Sequence, residues 1–218
     1  MNSLFKLDSP IMRFFSRMAD LVMLNLITLV CCIPVVTIGA AVSAMYASVY
    51  KMQRDEGTLW KNYFHAFKIN FRQATVQWLI MLVFIALLVF AFLYYTNAAF
   101  SFAVVLQFVS IFLILLWLFC FSWLLPLQAK FHVTVKGNLK SSLICAFAFL
   151  PVTICMAILN AVPFALFWFF PLIFFQVGFL WIFIWFVLAA WLNAGLLKKP
   201  FSTIAVEEAG PLDDDETE

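Results

Sequence analysis

The sequence predicts an all-α protein, a polytopic integral membrane helical bundle. Of its 218 residues, 66% are hydrophobic and 11% are charged, whereas soluble domains carry about 25% charged residues. This leaves too little polar surface to cover a globule in water, so lipid must be the solvent for much of the chain. The apolar residues form five long uncharged segments. We expect one membrane domain over residues 1–200, followed by an acidic, disordered tail over 201–218.

The first 19 residues form an amphipathic lead. Ser9-Pro10 is typical of a helix start, and Arg13 and Arg17 alternate with apolar residues at helical spacing. This pattern predicts an interfacial helix that lies on the membrane. Asp20 follows Arg17 by one turn. The two residues either form a surface ion pair, or Asp20 is a buried charge that anchors the next segment.

The segment from Leu21 to Tyr50 carries no charge and is interrupted at Pro34 and Gly39. The prolyl ring removes a backbone donor and disfavours helix just before it, and Thr37 is placed to cap a second helix. Small residues spaced by four begin at Gly39, which allows two helix backbones to approach closely. The pattern predicts two helices joined by a break at Pro34–Gly39, with the non-helical backbone buried in protein.

The remaining elements follow from basic linkers and apolar runs. Residues 51–73 carry five basic residues and an aromatic face, so we expect an interfacial helix there. A second basic linker covers residues 126–140, and Lys198 and Lys199 end the last apolar run. Four full spanning helices are predicted because each run can cross about 30 Å of hydrocarbon. They are Ala74–Thr96, Ser101–Leu125, Ser141–Val162 and Phe164–Asn193.

Two topologies fit these segments. If the broken first segment is a fifth spanning helix, Lys6, Arg13 and Arg17 lie outside the cell. If it is a hairpin, all thirteen Lys and Arg lie on the cytoplasmic side. The positive-inside rule favours the hairpin. We therefore expect a multi-pass protein of the cytoplasmic membrane whose basic linkers and C-terminus are cytoplasmic.

Two basic heptapeptides resemble each other and directly precede predicted spans. They are Lys68-Ile-Asn70-Phe-Arg72-Gln-Ala74 and Lys136-Gly-Asn138-Leu-Lys140-Ser-Ser142. They are either an internal duplication or two cases of the basic, amphipathic entry that cytoplasmic helix starts generally have.

The sequence contains no catalytic motif. His65 and His132 have no acid at metal or triad spacing, and the five cysteines lie in apolar segments without a C-x-x-C. We expect no enzyme activity, no cofactor, no metal and no nucleic acid. Polar residues inside the apolar segments, such as Asn25, Gln77 and Gln107, either hydrogen-bond between helices or line a path for a polar solute.

The opening of the chain resembles that of YesL-like proteins. The resemblance rests on Ser9-Pro10-Ile-Met-Arg13, then Asp20-Leu, Asn25-Leu and Cys31-Cys32-Ile-Pro34-Val-Val-Thr37-Ile-Gly39. It is supported by the heptapeptide that contains Asn70 and Arg72 and by Pro126-Leu-Gln-Ala-Lys130-Phe131. YesL-like proteins are bacterial membrane proteins with a domain of unknown function, often associated with ABC-type carbohydrate uptake.

The resemblance implies an accessory or interaction protein of the bacterial cytoplasmic membrane, whose partners are the lipid bilayer and subunits of an ABC-type sugar importer. The alternative is a small-solute transporter or channel in its own right. The candidate structural or functional residues are Arg17, Asp20, Asn25, Pro34, Thr37, Gly39, Asn70 and Arg72.

Overall fold

A computed structural model of the protein describes residues 10–97, 102–131, 134–169, 171–172, 176 and 184–209. The regular elements in these ranges are all helical. We number the helices in chain order. They are α1 (Pro10–Cys32), a 3-10 turn (Val35–Thr37), α2 (Ile38–Met52), α3 (Leu59–Thr96), α4 (Ala103–Lys130), α5 (Val135–Ala148), α6 (Leu150–Phe169), α7 (Phe186–Leu196) and α8 (Lys198–Ala209).

Among the described residues, four helical stretches are long and apolar enough to cross a membrane, judged by length and composition. A fifth is added if the bent pair of α5 and α6 is one span. The predicted fold class, a polytopic all-α membrane bundle with a broken first segment, is confirmed. The four stretches are Phe15–Cys32, Val35–Met52, Leu59–Thr96 and Ala103–Lys130.

The first apolar segment is a helical hairpin. The helix stops at Cys32 and resumes at Ile38, with only a 3-10 turn between, as the proline predicts. At the far end from this break, Arg17 Nη2 lies 2.6 Å from Asp55 Oδ1, and Arg17 Nη1 donates to the carbonyl of Met52 at 3.4 Å. The beginning of α1 therefore meets the end of α2, so the two helices run antiparallel.

The two predicted interfacial helices are not separate elements. The amphipathic lead continues into the apolar segment as one helix of 23 residues, about 35 Å at 1.5 Å per residue. Residues 59–73 likewise continue into α3, which has 38 residues and is about 57 Å long. Neither helix contains Gly or Pro after its first residue, so a change from polar to apolar composition does not interrupt it.

The third predicted span is bent. The axes of α5 and α6 differ by 103° at Phe149, because Pro151 cannot continue the hydrogen-bond ladder of α5. Thr153 Oγ1 lies 3.0 Å from the carbonyl oxygen of Ala146 and accepts from Trp123 Nε1 at 2.8 Å, which fixes the bend against α4. The helix then runs through Pro163, where the sequence predicted a turn.

The fourth predicted span is only partly described. Its first residues belong to the end of α6 and its last residues to α7, while most of 170–183 lies outside the described residues. The predicted end of the membrane domain at residue 200 falls inside α8. Phe201 in the first turn of α8 is 1% exposed, so this turn packs with the bundle. Residues 210–218 of the predicted tail lie outside the described ranges.

The core of the protein is α2. Each residue from Gly39 to Val49 is buried except Val42, and the helix contacts α1, α3, α4 and α7. Its residues are mostly small, so neighbouring backbones can surround it closely. By contrast, the second half of α3 and the first half of α4 expose many large aliphatic and aromatic side chains, which suits contact with lipid.

The hairpin predicts a cross-link. In a chain whose native cysteines are replaced by alanine, Arg17→Cys and Asp55→Cys should be joined by a short bis-maleimide, because their side chains meet in the folded protein. Mass spectrometry of the digested protein would identify the linked peptides. The control pair, Ile33→Cys with Asp55→Cys, should stay unlinked since these residues lie at opposite ends of the hairpin. A single tilted helix over residues 21–50 would leave both pairs unlinked.

Candidate functional site

The break between α1 and α2 is exposed, contrary to the prediction that it is buried. Ile33 is 77% exposed and Val35 58%. Several of its backbone polar groups are nevertheless hydrogen-bonded. Trp78 of α3 donates its indole N–H to the carbonyl of Val35 at 2.9 Å, and the backbone N–H of Thr37 donates to the carbonyl of Pro34 at 3.0 Å. Hydrogen bonding, instead of burial, makes the non-helical backbone tolerable.

Thr37 precedes α2 as predicted, but its side chain does not cap that helix. The hydroxyl points back and lies 2.7 Å from the carbonyl oxygen of Cys31 and 2.8 Å from that of Pro34. Thr37 has αR backbone angles (φ −88°, ψ −3°), instead of the extended geometry that an N-cap requires. The side chain therefore hydrogen-bonds a carbonyl group at the C-terminal end of α1.

Gly39 is the point of closest approach between α2 and α3. A Cβ atom built on Gly39 would lie 2.5 Å from the carbonyl oxygen of Ala74 and 2.5 Å from Cβ of Trp78. Both neighbours belong to α3, and Ala74 O is a backbone atom that cannot move without moving the helix. The close approach predicted at Gly39 is thus between α2 and α3, and it lies next to Trp78, which donates to the backbone of the break.

Replacing Gly39 by alanine should destabilise the protein. The added methyl group must push α2 and α3 apart, and overpacking of this kind costs about 1–3 kcal/mol. The matched control is Gly195→Ala in α7, where an added Cβ meets no atom within 4 Å. That change should stabilise by about 0.5–1 kcal/mol, because alanine favours helix. Thermal unfolding of the purified proteins in detergent measures both. Equal midpoints for the two variants would contradict the close approach.

Three buried amide side chains meet where α3, α4 and α5 come together. Gln77 Nε2 donates to Gln128 Oε1 at 3.1 Å, and Asn138 Nδ2 donates to Gln77 Oε1 at 2.9 Å. Asn138 Nδ2 also lies 3.0 Å from the carbonyl oxygen of Leu124. All three residues are at most 1% exposed. We call them the amide cluster, and it links three helices through polar contacts.

The amide cluster is not fully satisfied. Gln128 Nε2 is buried and has no hydrogen-bond partner in the described part of the chain. An unpaired buried donor costs about 1–3 kcal/mol. The sequence drew attention to Gln77 as a polar residue in an apolar run. The roles of Gln128 and Asn138 were missed, because their meeting depends on the packing of three separate helices.

Asn138→Ala should destabilise the bundle by about 1–2 kcal/mol, at the upper end of interhelical hydrogen bonds in membranes. The substitution removes the donor shared by Gln77 and the carbonyl of Leu124. The control is Asn97→Ala, since Asn97 is exposed just after α3 and its amide donates to the carbonyl of Leu93, one turn earlier. Thermal unfolding in detergent again gives the comparison. If both variants unfold together with the wild type, the amide cluster contributes no stability.

A second set of buried polar residues joins α1, α2, α6 and α7. Asn25 is 0% exposed, and its Oδ1 accepts from the backbone N–H of Val187 at 3.2 Å. Asn193 Nδ2 lies 3.2 Å from Tyr46 Oη and 3.3 Å from Asn160 Oδ1. Asn25 thus makes a hydrogen bond between helices, the first of its two predicted uses.

The open end of the hairpin carries charge. Arg17 pairs with Asp55 and not with Asp20, the partner that helical spacing predicted. A cavity of about 150 Å³ lies beside this pair, and its lining includes Asp20 and Glu56 as well. The ion pair is largely exposed, with side chains 44% and 77% accessible. Its own contribution to stability is therefore at most about 1 kcal/mol.

The last two candidates, Asn70 and Arg72, lie on α3. Asn70 is 5% exposed on the side of α3 that also buries Tyr63 and Ala74. Arg72 is exposed. In the described ranges no group of three or more His, Cys, Asp and Glu side chains is placed to hold a metal.

These features define a polytopic α-helical membrane protein built around a broken first hairpin. Residues 21–92 match the model of a family described as a protein of unknown function, DUF624. The match covers most of α1, all of α2 and most of α3, which is the part of the fold that contains the break and the Gly39 contact. No curated protein and no solved structure matches the chain.

Proposed function

We propose that this protein is an accessory or interaction protein of the bacterial cytoplasmic membrane that associates with an ABC-type carbohydrate importer, and that it is not an enzyme. The importer and the sugar context come from the resemblance of the opening motif to YesL-like proteins. One observation favours an interaction role over transport: the intramembrane polar side chains form hydrogen bonds that join helices.

A transporter needs polar side chains that face a continuous path. Here Gln77 lies within the amide cluster, and Asn25 accepts from the backbone of α7. Gln107 Nε2 donates to Thr96 Oγ1 at 3.2 Å, near the connection between α3 and α4. These contacts use the same amide groups that a polar path would require. They support the accessory role over the alternative, a small-solute transporter or channel.

The first half of α3 offers a surface for a protein partner. Trp60, Phe64 and Phe71 are 47%, 51% and 40% exposed, while the opposite side of the helix packs on α2. Exposed basic residues, Lys61 and Lys68 among them, flank these rings. Aromatic residues are enriched at protein interfaces, and basic residues that flank apolar spans are typical of the cytoplasmic membrane surface. We propose that this aromatic face contacts the importer.

The proposed orientation places this aromatic face in the cytoplasm. Arg54, Lys130 and Lys198 line one cavity, so basic residues from both linkers and from the start of α8 lie at one end of the bundle. The positive-inside rule then favours a cytoplasmic location for this end and for the C-terminal helix.

Affinity purification tests the proposal. A tagged protein extracted in mild detergent should retain importer membrane subunits, and Trp60→Ala with Phe64→Ala should reduce their recovery at least tenfold. The control double variant, Phe108→Ala with Phe112→Ala, removes two rings that are 66% and 64% exposed on α4; it should retain the subunits.

Two results would contradict the proposal. One is a wild-type protein that purifies without importer subunits, together with a deletion strain whose sugar uptake is unchanged. The other is flux of a small solute into vesicles that contain only the purified protein, because it would establish the transporter alternative.

A further inference from the structure

A second cavity, of about 100 Å³, lies where the end of α2, the end of α4 and the start of α8 meet. Its charged lining consists of Arg54, Lys130 and Lys198, and its neutral polar lining includes Tyr50 and Gln53. We call it the basic cavity. Among the side chains that the structure describes up to Ile204, no carboxylate lines it. Three like charges in so small a space repel one another unless an anion lies between them.

The walls of the basic cavity are held by contacts between helices that are distant in sequence. Gln53 Nε2 donates to the carbonyl of Trp191 in α7 at 3.1 Å. Tyr50 Oη lies 3.4 Å from the carbonyl oxygen of Pro126 in α4. These contacts attach the end of α2, and with it Arg54, to α7 and α4. The cavity is therefore part of the packed bundle.

Aromatic rings position Lys130. Its ammonium nitrogen lies 4.6 Å from the ring centroid of Phe201 and 5.9 Å from that of Phe131, within the range of cation–π attraction. Phe201 is 1% exposed and packs edge-on against Tyr50, with ring centroids 5.8 Å apart. Because Phe201 fixes the first turn of α8, it also fixes Lys198 three residues earlier.

The side chains that the structure describes, which end at Ile204, provide no counter-charge for this cavity. They form one ion pair, between Arg17 and Asp55, and that pair lies beside the other cavity. Arg54, Lys130 and Lys198 have no carboxylate oxygen within 4.0 Å among the described residues. An anion from outside the bundle would relieve their repulsion.

The chemistry of the cavity selects the anion. The guanidinium of Arg54 can bind two oxygens of one phosphate group, and the two lysines add point charges. The volume is well below the roughly 300 Å³ of the smallest ordinary ligand sites, so it suits a headgroup fragment better than a whole sugar or nucleotide. Basic pockets between spanning helices at the membrane surface bind lipid headgroups in this way.

We propose that the basic cavity binds a phosphate group, of the kind that an anionic phospholipid headgroup presents at the membrane surface. This inference does not depend on the association with an importer, and each can fail without the other.

Native mass spectrometry of the full-length protein in detergent tests it, with phosphatidylglycerol as the anionic lipid and phosphatidylcholine as the zwitterionic one. The wild type should bind phosphatidylglycerol at least tenfold more tightly. Arg54→Gln with Lys130→Gln should lose that preference at least tenfold. The charge-matched control, Lys136→Gln with Lys140→Gln, removes two exposed basic residues outside the cavity and should stay within twofold of the wild type.

Folding of each variant is checked by size-exclusion chromatography and circular dichroism. If the double variant does not fold, the single change Lys198→Gln replaces it, since Lys198 is exposed and should still weaken binding several-fold. Equal losses in the cavity variant and in the charge-matched control would overturn the proposal, because they would reflect net charge alone. A wild type without preference for phosphatidylglycerol that is also unaffected by inorganic phosphate would overturn it as well.

Two further arms identify the source of the anion. In the first, millimolar inorganic phosphate raises the Tm of the wild type but not of the cavity variant, while the wild type shows no preference between the lipids. This result would support the phosphate site and assign it to a soluble anion. A chain ending at Gly210 lacks the acids of residues 213–218 and should bind lipid like the wild type. Binding that occurs only after this truncation would overturn the proposal, since the acidic segment would then be the natural occupant.

Discussion

The structure depends on how the chain satisfies the backbone polar groups at the break between α1 and α2. In an apolar environment, each unpaired carbonyl or N–H costs several kcal/mol, and this break is not covered by protein. Trp78 reaches the carbonyl of Val35 only because Gly39 allows α3 to lie directly against α2. The break, the glycine and the indole therefore act together, and the antiparallel hairpin of α1 and α2 follows from them.

A core made of small residues has a consequence for stability. Between lipid-exposed helices there is no hydrophobic driving force, because lipid tails are as apolar as leucine. Close packing around α2 and interhelical hydrogen bonds must supply the association energy instead. The amide cluster joins α3, α4 and α5, and Asn193 joins α7 to α2 and α6. Buried amides that look like a solute path in the sequence can thus be explained by assembly of the bundle.

Local features of the fold could be predicted from the sequence, and long-range ones could not. Pro34 and Gly39 act on their own backbone and its nearest neighbour, so both the break and the close approach were predictable. The partner of Arg17 was not, because Asp55 lies 38 residues away and is brought near only by the hairpin. Likewise, the meeting of Gln77 with Asn138 requires three helices to be in register. The continuity of α1 and α3 was missed because a change in composition was interpreted as a change in structure.

The charges at the open end of the hairpin are sorted by sign. In the short connection after α2, Asp55 and Glu56 line the cavity beside Arg17. Arg54, in the same connection, lines the basic cavity with Lys130. Since the acids of the first cavity face Arg17, they cannot neutralise the second. The basic cavity thus keeps its positive charge at the end of the bundle where the apolar helices stop. Anionic lipid is the partner that a membrane supplies at that depth, and the same excess of positive charge is what the positive-inside rule uses to orient the protein.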